Sequence, residues 1–357
     1  MKKLIAIIGI DSFLKKNYNQ IKCLNHNGVS VEVLTNNTMN TSVENMNIIN
    51  NQTKNKNSII LLEPKFLSRV KQIYDYLKKN KSVLNHIEVY PAGRFTFIYV
   101  LLARLIGVKI VCIERGDIGK FDRHTFLTSI SMKLTYRFST LVIYKELYMK
   151  SLLLSLHAKN ISLLYNCIDN FVEFENLAHR SYSFLWVNRL VKERKIEWVV
   201  DLVKEGELNS TINILGILEN RDTYIQTNIN LVNSLKNYGN VEIYGYINPE
   251  NFYKETKFFL LPSDIVFVNN ALLEAMSYGV VPLISNVSGA DKIIEDGIDG
   301  FIFEHTKEGF KKAIERALSL SEEEVQRMSL AAREKVKNKF SCNEWCKRYI
   351  SIINGKI

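Results

Sequence analysis

The sequence predicts an α/β protein built from two doubly wound, Rossmann-like domains, and three observations carry that expectation. Short apolar runs rich in branched residues recur along the chain with helix-length segments between them, the alternation that buries a parallel sheet between helical layers. The pattern pauses near residue 180 and restarts. At 357 residues the chain also exceeds the usual span of one hydrophobic core.

In the first half the runs are LIAIIGI (4–10), VSVEVLT (29–35), SIILLE (58–63), IEVYP (87–91), VKIVCIE (108–114), TLVIY (140–144) and ISLLYN (161–166). Residues 94–106 and 128–138 read as helices between them. The second half repeats the scheme with SFLWVN (183–188), TINILG (211–216), NVEIYGY (240–246), FFLLPS (258–263) and VVPLIS (280–285). Domains are expected at 1–180 and 181–338. The segment 339–357 reads as a final helix, after a break near Phe340 and Ser341, that crosses back to the first domain. The asparagine-rich stretch 36–57 reads as a loop.

With 46% apolar and 24% charged residues the composition is that of an ordinary soluble globular protein. The opening MKKLIAIIGIDSF imitates a signal peptide, but its apolar run is short and no small-residue cleavage site follows, so a buried first strand explains it better. FTFIYVLLARLIGVKIVCI is interrupted by Arg104 and Lys109 and reads as helix then strand, not as a membrane span. The five cysteines fit neither a disulfide framework nor a zinc site; Cys342 and Cys346 lie four apart on a helix with no third ligand near them. Reduced thiols, a cytoplasmic location and no bound metal are expected.

Charge divides unevenly. Residues 1–180 hold 25 Lys and Arg against 13 Asp and Glu, a net of +12; residues 181–357 hold 22 against 24, a net of −2, and together these give +10. A basic half fits anionic headgroups, phosphorylated substrates or nucleic acid, and equally a plain solubility charge. No nucleic-acid module or aromatic-basic platform accompanies it, so a nucleic-acid partner is not expected.

The residues that point to chemistry lie mainly in the second half. In NNALLEAMSYG, Asn269 or Asn270 suits a helix N-cap and Gly279 a stop, with Leu272, Leu273 and Met276 facing the core. Glu274 is then free to point at the cleft along the carboxyl ends of the strands, where open α/β sheets bind ligands. A carboxylate there can accept hydrogen bonds from the two hydroxyls of a ribose. Ser288 and Gly289 open a further helix, whose free amides favour a phosphate. In VNRLVKERKIEW, Arg189 follows a strand and Lys195 comes six residues later. Two such cations can neutralise a diphosphate, although a solvated turn is an equal reading for Arg189, and Lys192 and Arg194 read as that turn.

The order of these parts resembles the family 4 glycosyltransferases with the GT-B fold. The resemblance spans about residues 183–350 through Arg189 and Lys195, LLPS (260–263), ALLEAMSYGVVPLIS (271–285), the SG turn, IIEDGIDGFIF (293–303) and FSCNEWCKRY. In the first domain it is carried by strand order and by LLYNCID. It implies two Rossmann-like domains facing a central cleft, and transfer of a sugar from a nucleotide-sugar, UDP- or GDP-linked, with retention at the anomeric carbon and without a metal cofactor. It implies that Arg189 and Lys195 hold the diphosphate as catalytic cations, that Glu274 binds the ribose, that Ser288 and Gly289 lie by the phosphate, and that Tyr246 and Ile247 meet the base.

Two departures stand out. The family's first glutamate falls at Val266; Asp264, Asn269 or Asn270 could supply substitute hydrogen bonds. Where many members carry a histidine after a first-domain strand, this chain has Glu114, Arg115, Gly116 and Asp117. Glu114 or Asp117 could take a proton or a sugar hydroxyl and Arg115 a phosphate, or the set could form a buried ion pair. Gly9, Asp11 and Arg115 are the acceptor-side candidates. The expected acceptor is a saccharide or polyprenyl-linked saccharide in cell-surface polysaccharide or glycolipid synthesis. Peripheral contact with the anionic inner membrane is expected through Lys15, Lys16, Lys78, Lys79 and Lys81. Because Val266 replaces a carboxylate, a catalytically silent nucleotide-sugar-binding subunit is the alternative.

Overall fold

A computed structural model describes residues 4–8, 17–35, 57–90, 92–114, 124–169, 171, 180–217, 223–265 and 269–355. Gly9, Asp11, Lys15, Lys16, Arg115, Asp117 and Val266 lie outside the described residues. The chain divides into two compact units: Met1–Cys167 with Cys342–Ile357, and Ile168–Ser341. The divisions thus fall at 167/168 and 341/342, where the sequence reading places them at 180/181 and 338/339.

The first unit holds a seven-stranded parallel sheet of β1 (Leu4–Ile8), β2 (Ser30–Thr35), β3 (Ser58–Leu61), β4 (Leu84–Val89), β5 (Ile110–Glu114), β6 (Leu141–Tyr144) and β7 (Ile161–Leu163), in the order β3-β2-β1-β4-β5-β6-β7. Alternate side chains take opposite faces. Ala6 and Ile8 of β1 enter a core with Ile73 and Leu77 of α2 (Phe66–Asn80), Val100 and Ala103 of α3 (Thr96–Ile106), Met132 and Tyr136 of α4 (Phe126–Phe138) and Leu153 of α5 (Met149–Ser155). Ile5 and Ile7 enter the opposite core with Ile21 and Leu24 of α1 (Tyr18–His26) and Trp345, Cys346 and Ile352 of α13 (Cys342–Ile353). The last helix therefore completes the first unit's second layer.

That layer carries a polar knot. The Tyr349 hydroxyl of α13 donates to Glu88 of β4 and lies 2.8 Å from His86 Nε2. Burial pushes the Glu88 carboxyl up, yet His86 and the tyrosines bonding it hold it below its ordinary value. Cys23, Cys167, Cys342 and Cys346 are buried in the same core, with Cys342 Sγ 3.1 Å from Cys167 Sγ. Among the described residues no group of three or more His, Cys, Asp or Glu could hold a metal ion, and no helix is long and apolar enough to cross a membrane.

The second unit holds a six-stranded parallel sheet of β8 (Tyr182–Val187), β9 (Ile212–Ile217), β10 (Val241–Gly245), β11 (Thr256–Leu261), β12 (Val281–Ser285) and β13 (Phe301–Phe303), ordered β10-β9-β8-β11-β12-β13. β13 was not among the strands expected from sequence: three residues are too few to show a period. One face packs against α6 (Ile196–Lys204), α7 (Thr223–Asn233) and α11 (Lys307–Leu318) around Trp186, Val199, Val232 and Phe310. α9 (Asn270–Ser277) and α12 (Glu322–Lys339) pack on one another; the Ser329 hydroxyl of α12 donates to Gly279 O beyond the end of α9, a tie at 2.5 Å. Ser321 and Glu324 close a reciprocal capping box at the start of α12.

Candidate active site

In the second unit the strand order reverses between β8 and β11. Strands diverging from that point leave a crevice at their carboxyl ends, the standard location for a ligand in an open sheet. Asn188 and Arg189 follow β8, Pro262, Ser263 and Asp264 follow β11, Ser288 and Gly289 follow β12, and Tyr246 and Ile247 follow β10.

The turn after β8 is clamped to the loop after β11. Glu193 O accepts from Asp264 N at 2.9 Å and from the Ser263 hydroxyl at 2.7 Å. Arg194 donates through Nη1 to Ser263 Oγ at 3.0 Å and to Ile265 O at 3.1 Å. Arg194 is buried, which corrects its reading as part of a solvated turn: its guanidinium bonds a hydroxyl and a carbonyl of the loop after β11. The 3-10 turn Lys192–Arg194 then delivers Lys195 in the left-handed region, φ 42° and ψ 40°. A non-glycine residue held there is strained, and surrounding contacts must enforce it.

The Lys195 ammonium lies 3.0 Å from Asp264 Oδ1. His305 Nε2 lies 2.9 Å from the same oxygen, and the His305 ring packs on Trp198 of α6 with centroids 5.1 Å apart. Asp264 is thus already shared by two cation-capable groups. Arg189 is exposed; its carbonyl accepts from Val191 N at 2.8 Å, and its guanidinium makes no hydrogen bond or ion pair among the described residues.

Asn269 caps α9, its Oδ1 accepting from Ala271 N at 2.8 Å while its Nδ2 donates to Asn188 Oδ1 at 2.9 Å. Those bonds join the end of β8 to the start of α9 and use up the Asn269 amide as a structural tie. Glu274 lies one turn further along. It is half-buried, and its one side-chain partner among the described residues is the Tyr253 hydroxyl of α8 (Glu250–Glu255), 3.3 Å from Oε2. Burial raises its carboxyl to about 6, partly opposed by that hydrogen bond. Among the described residues no hydrogen bond or ion pair joins it to Arg189, Lys195 or Asp264.

Gly289 adopts φ 89° and caps α10 (Ala290–Ile293). That helix is a single turn, so the helix-dipole contribution expected at Ser288 and Gly289 is small. Ser288 is exposed, as are Tyr246 and Ile247. Three buried polar atoms among these residues lack a partner: Asn188 Nδ2, Asn270 Oδ1 and His305 Nδ1. A cavity of about 340 Å³ lined by Ser183, Lys257, Leu318 and Glu322 lies instead where β8 and β11 begin, at the opposite edge of the sheet.

In the first unit, Glu114 ends β5 but does not open onto a crevice. It is fully buried, and Oε2 accepts the Tyr136 hydroxyl of α4 at 2.7 Å. The expectation of an accessible acid or base at Glu114 is corrected by that burial on the helix-covered face. Neighbouring Lys145 is buried too and donates to Asn166 Oδ1 of the LLYNCID motif at 2.6 Å. His124 is half-buried.

His305, Asn188 and the buried role of Arg194 were absent from the sequence reading. A polar residue directly after a strand at the reversal point was the available signal for Asn188. His305 stands two residues past β13, so it was hidden with that strand.

Residues 168–335 match the family model Glycosyl transferases group 1. The group 1 match covers the six-stranded unit and every second-unit residue discussed above. The chain is 26% identical over 175 residues to the capsular polysaccharide biosynthesis glycosyltransferase CapM of Staphylococcus aureus, covering 47% of this chain and 45% of that protein. The chain spans about half the length of the curated relatives it matches. Solved structures align along nearly the whole chain. Anabaena HepE in complex with UDP superposes with a TM-score of 0.77 at 13% identity, covering 99% of this chain and 100% of that one. A glycosyltransferase from Rickettsia africae gives 0.75 at 14% identity, covering 99% and 98%. At such identities the likeness concerns the fold, that of GT-B glycosyltransferases with two parallel-sheet, Rossmann-like domains.

Proposed function

We propose that this protein transfers a sugar from a nucleoside-diphosphate donor, UDP- or GDP-linked, to a saccharide or lipid-linked saccharide, with retention of anomeric configuration, in the assembly of a capsule-type polysaccharide. The observation that carries the reading is one strand edge bearing strained Lys195, the half-buried carboxyl of Glu274, the Arg189 guanidinium, and the buried Asn188 Nδ2 and Asn270 Oδ1, the last three without partners among the described residues. Orphaned polar atoms cost stability unless a ligand engages them. The group 1 match and the UDP bound by HepE favour a nucleotide as that ligand.

In this reading Arg189 and Lys195 take the diphosphate, backbone amides near Gly289 assist them, and Glu274 accepts the ribose hydroxyls. Tyr246 and Ile247 lie by the base. Charge grows on the diphosphate oxygens as the sugar bond breaks, so fixed cations stabilise the transition state more than the ground state. The acceptor hydroxyl oxygen bonds the anomeric carbon on the same face from which the diphosphate departs, and its proton passes to the departing phosphate oxygen, so configuration is retained. The basic first half supports a phosphorylated or lipid-linked acceptor at the cytoplasmic face of an anionic membrane, with Lys78, Lys79 and Lys81 exposed there.

One observation favours a second reading, a silent nucleotide-sugar-binding subunit: Asp264, a stand-in for the carboxylate missing at Val266, is committed to Lys195 and His305. Purified protein offered UDP- and GDP-sugars decides between them. Transfer or donor hydrolysis is expected, falling by about 10² to 10³ in Arg189→Ala or Lys195→Ala. A double variant turning over at the parent rate would refute the assignment, and nucleotide binding with no turnover at all would favour the silent subunit.

A further inference from the structure

Lys195 does not wait at the strand edge as a free cation. Its ammonium lies 3.0 Å from Asp264 Oδ1, and His305 Nε2 lies 2.9 Å from the same oxygen. One carboxylate oxygen is therefore divided between the cation assigned to the diphosphate and an imidazole to which the reaction gives no other task. The arrangement is held in place by the backbone. Asp264 N donates to Glu193 O at 2.9 Å, in the turn that delivers Lys195, and Arg194 grips the same loop through Ser263 and Ile265. The main chains of Asp264 and Lys195 are thus fixed to one another, and their side chains are left to exchange partners.

His305 is positioned as firmly. Its ring packs on Trp198 of α6 with centroids 5.1 Å apart. An ionised carboxylate only accepts, so the proton of a neutral ring sits on Nε2 and is shared with Asp264. Nδ1 is buried and has no partner among the described residues. The charged residues that open α11 beside it are committed elsewhere: Lys307 pairs with Asp201 and Glu205, and Glu308 with Lys312.

We propose that Asp264 is a resident counter-anion of the donor site. It masks Lys195 while the crevice is empty and releases it when a diphosphate enters, and the imidazole N–H of His305 then keeps the carboxylate. The inference rests on the proposed function for the identity of the entering anion, and adds to that reading a competitor built into the site. The side chains of Lys195 and Asp264 are 18% and 34% exposed, and a partly exposed pair holds weakly. A diphosphate brings more than one charge to Lys195 and Arg189 together, so it displaces the carboxylate. The second donor on the same oxygen lowers the cost of that release, because Asp264 is not left without a partner. If Asp264 served only to aim Lys195, its removal would weaken anion binding; a counter-anion gives the opposite sign.

The test is calorimetric titration of the full chain with inorganic pyrophosphate and with UDP. Asp264→Asn, which keeps the backbone bond to Glu193, should bind both probes about fivefold more tightly. His305→Phe keeps a ring on Trp198 but loses the N–H, and should bind both about threefold more weakly; His305→Gln, which restores a donor, should return close to the parent. In Asp264→Asn/His305→Phe the histidine effect should vanish, since it reaches Lys195 only through the carboxylate. A further readout needs no ligand. Acylation of Lys195 by acetic anhydride, followed by peptide mass spectrometry, should be at least about twofold faster in Asp264→Asn and slower in His305→Phe, with melting temperatures showing that each variant is folded. Pyrophosphate affinity unchanged or lowered in Asp264→Asn, no pyrophosphate binding at all, or a histidine effect that survives loss of the carboxylate overturns the proposal. Pyrophosphate binding that follows the stated order with no binding of UDP removes the nucleotide reading and leaves this one standing.

Discussion

Glu274 shows how a single side chain can carry both a cost and a use. Its carboxyl is held near 6 by burial against an ordinary value of 4.5. The folded state therefore keeps a proton that the unfolded chain has released, so the group's contribution to stability is greatest below about pH 4.5 and declines as pH rises through about 6. The loss amounts to about 2 kcal/mol. Glu274→Gln should remove that pH-dependent component from urea titrations at pH 5 and pH 7. Ribose hydroxyls need the ionised form as acceptor, so nucleotide affinity should fall as pH drops below about 6 in the parent and lose that step in Glu274→Gln, measured by calorimetric titration. Arg189, Lys195 and Glu274 entered as candidates from sequence because local spacing after a strand or along a helix singles each of them out. His305 and Arg194 could not: their partners, Asp264 and Ser263, lie 41 and 69 residues away, and only folding brings them into reach.

Among the elements, β8 and β9 approach so closely at their carboxyl ends that one position admits no side chain. Gly216 has φ 104°, and a Cβ there would lie 2.1 Å from Asn188 O. Gly216→Ala must either shift the β8 end or break the strand pairing, and we expect a loss of more than about 2 kcal/mol in chemical denaturation. Asn188 would move with it, so nucleotide binding should weaken as well. Strand and helix positions were legible wherever an apolar run exceeded about four residues, since branched side chains and the two-residue period announce them. The one-turn α10 was legible from the Ser288-Gly289 start ahead of Ala290, whereas β13, held in the sheet by pairing with β12, was not.

At the scale of the molecule, the two-sheet plan could be read from the restart of the strand pattern. Which side of α3 stays open could not be read, because TFIYVLLARLI has the composition of a core helix and only the packing buries Val100 and Ala103 while leaving Leu101 and Leu105 exposed. The boundary came out later in sequence than in space, since the chain passes to the second unit at Ile168 without a glycine or proline to mark it. There the backbone of Ile168 donates to Phe340 O at 3.0 Å, and Ile168 bridges Ser341, so the way in and the way out of Ile168–Ser341 lie side by side. The whole stretch is topologically a guest threaded into its host through one narrow doorway. Excised as 168–341 it should fold unaided, melt cooperatively, and keep a UDP-dependent rise in melting temperature; the host, with Cys167 and Cys342 rejoined by a few glycines and serines, should close over the gap without it.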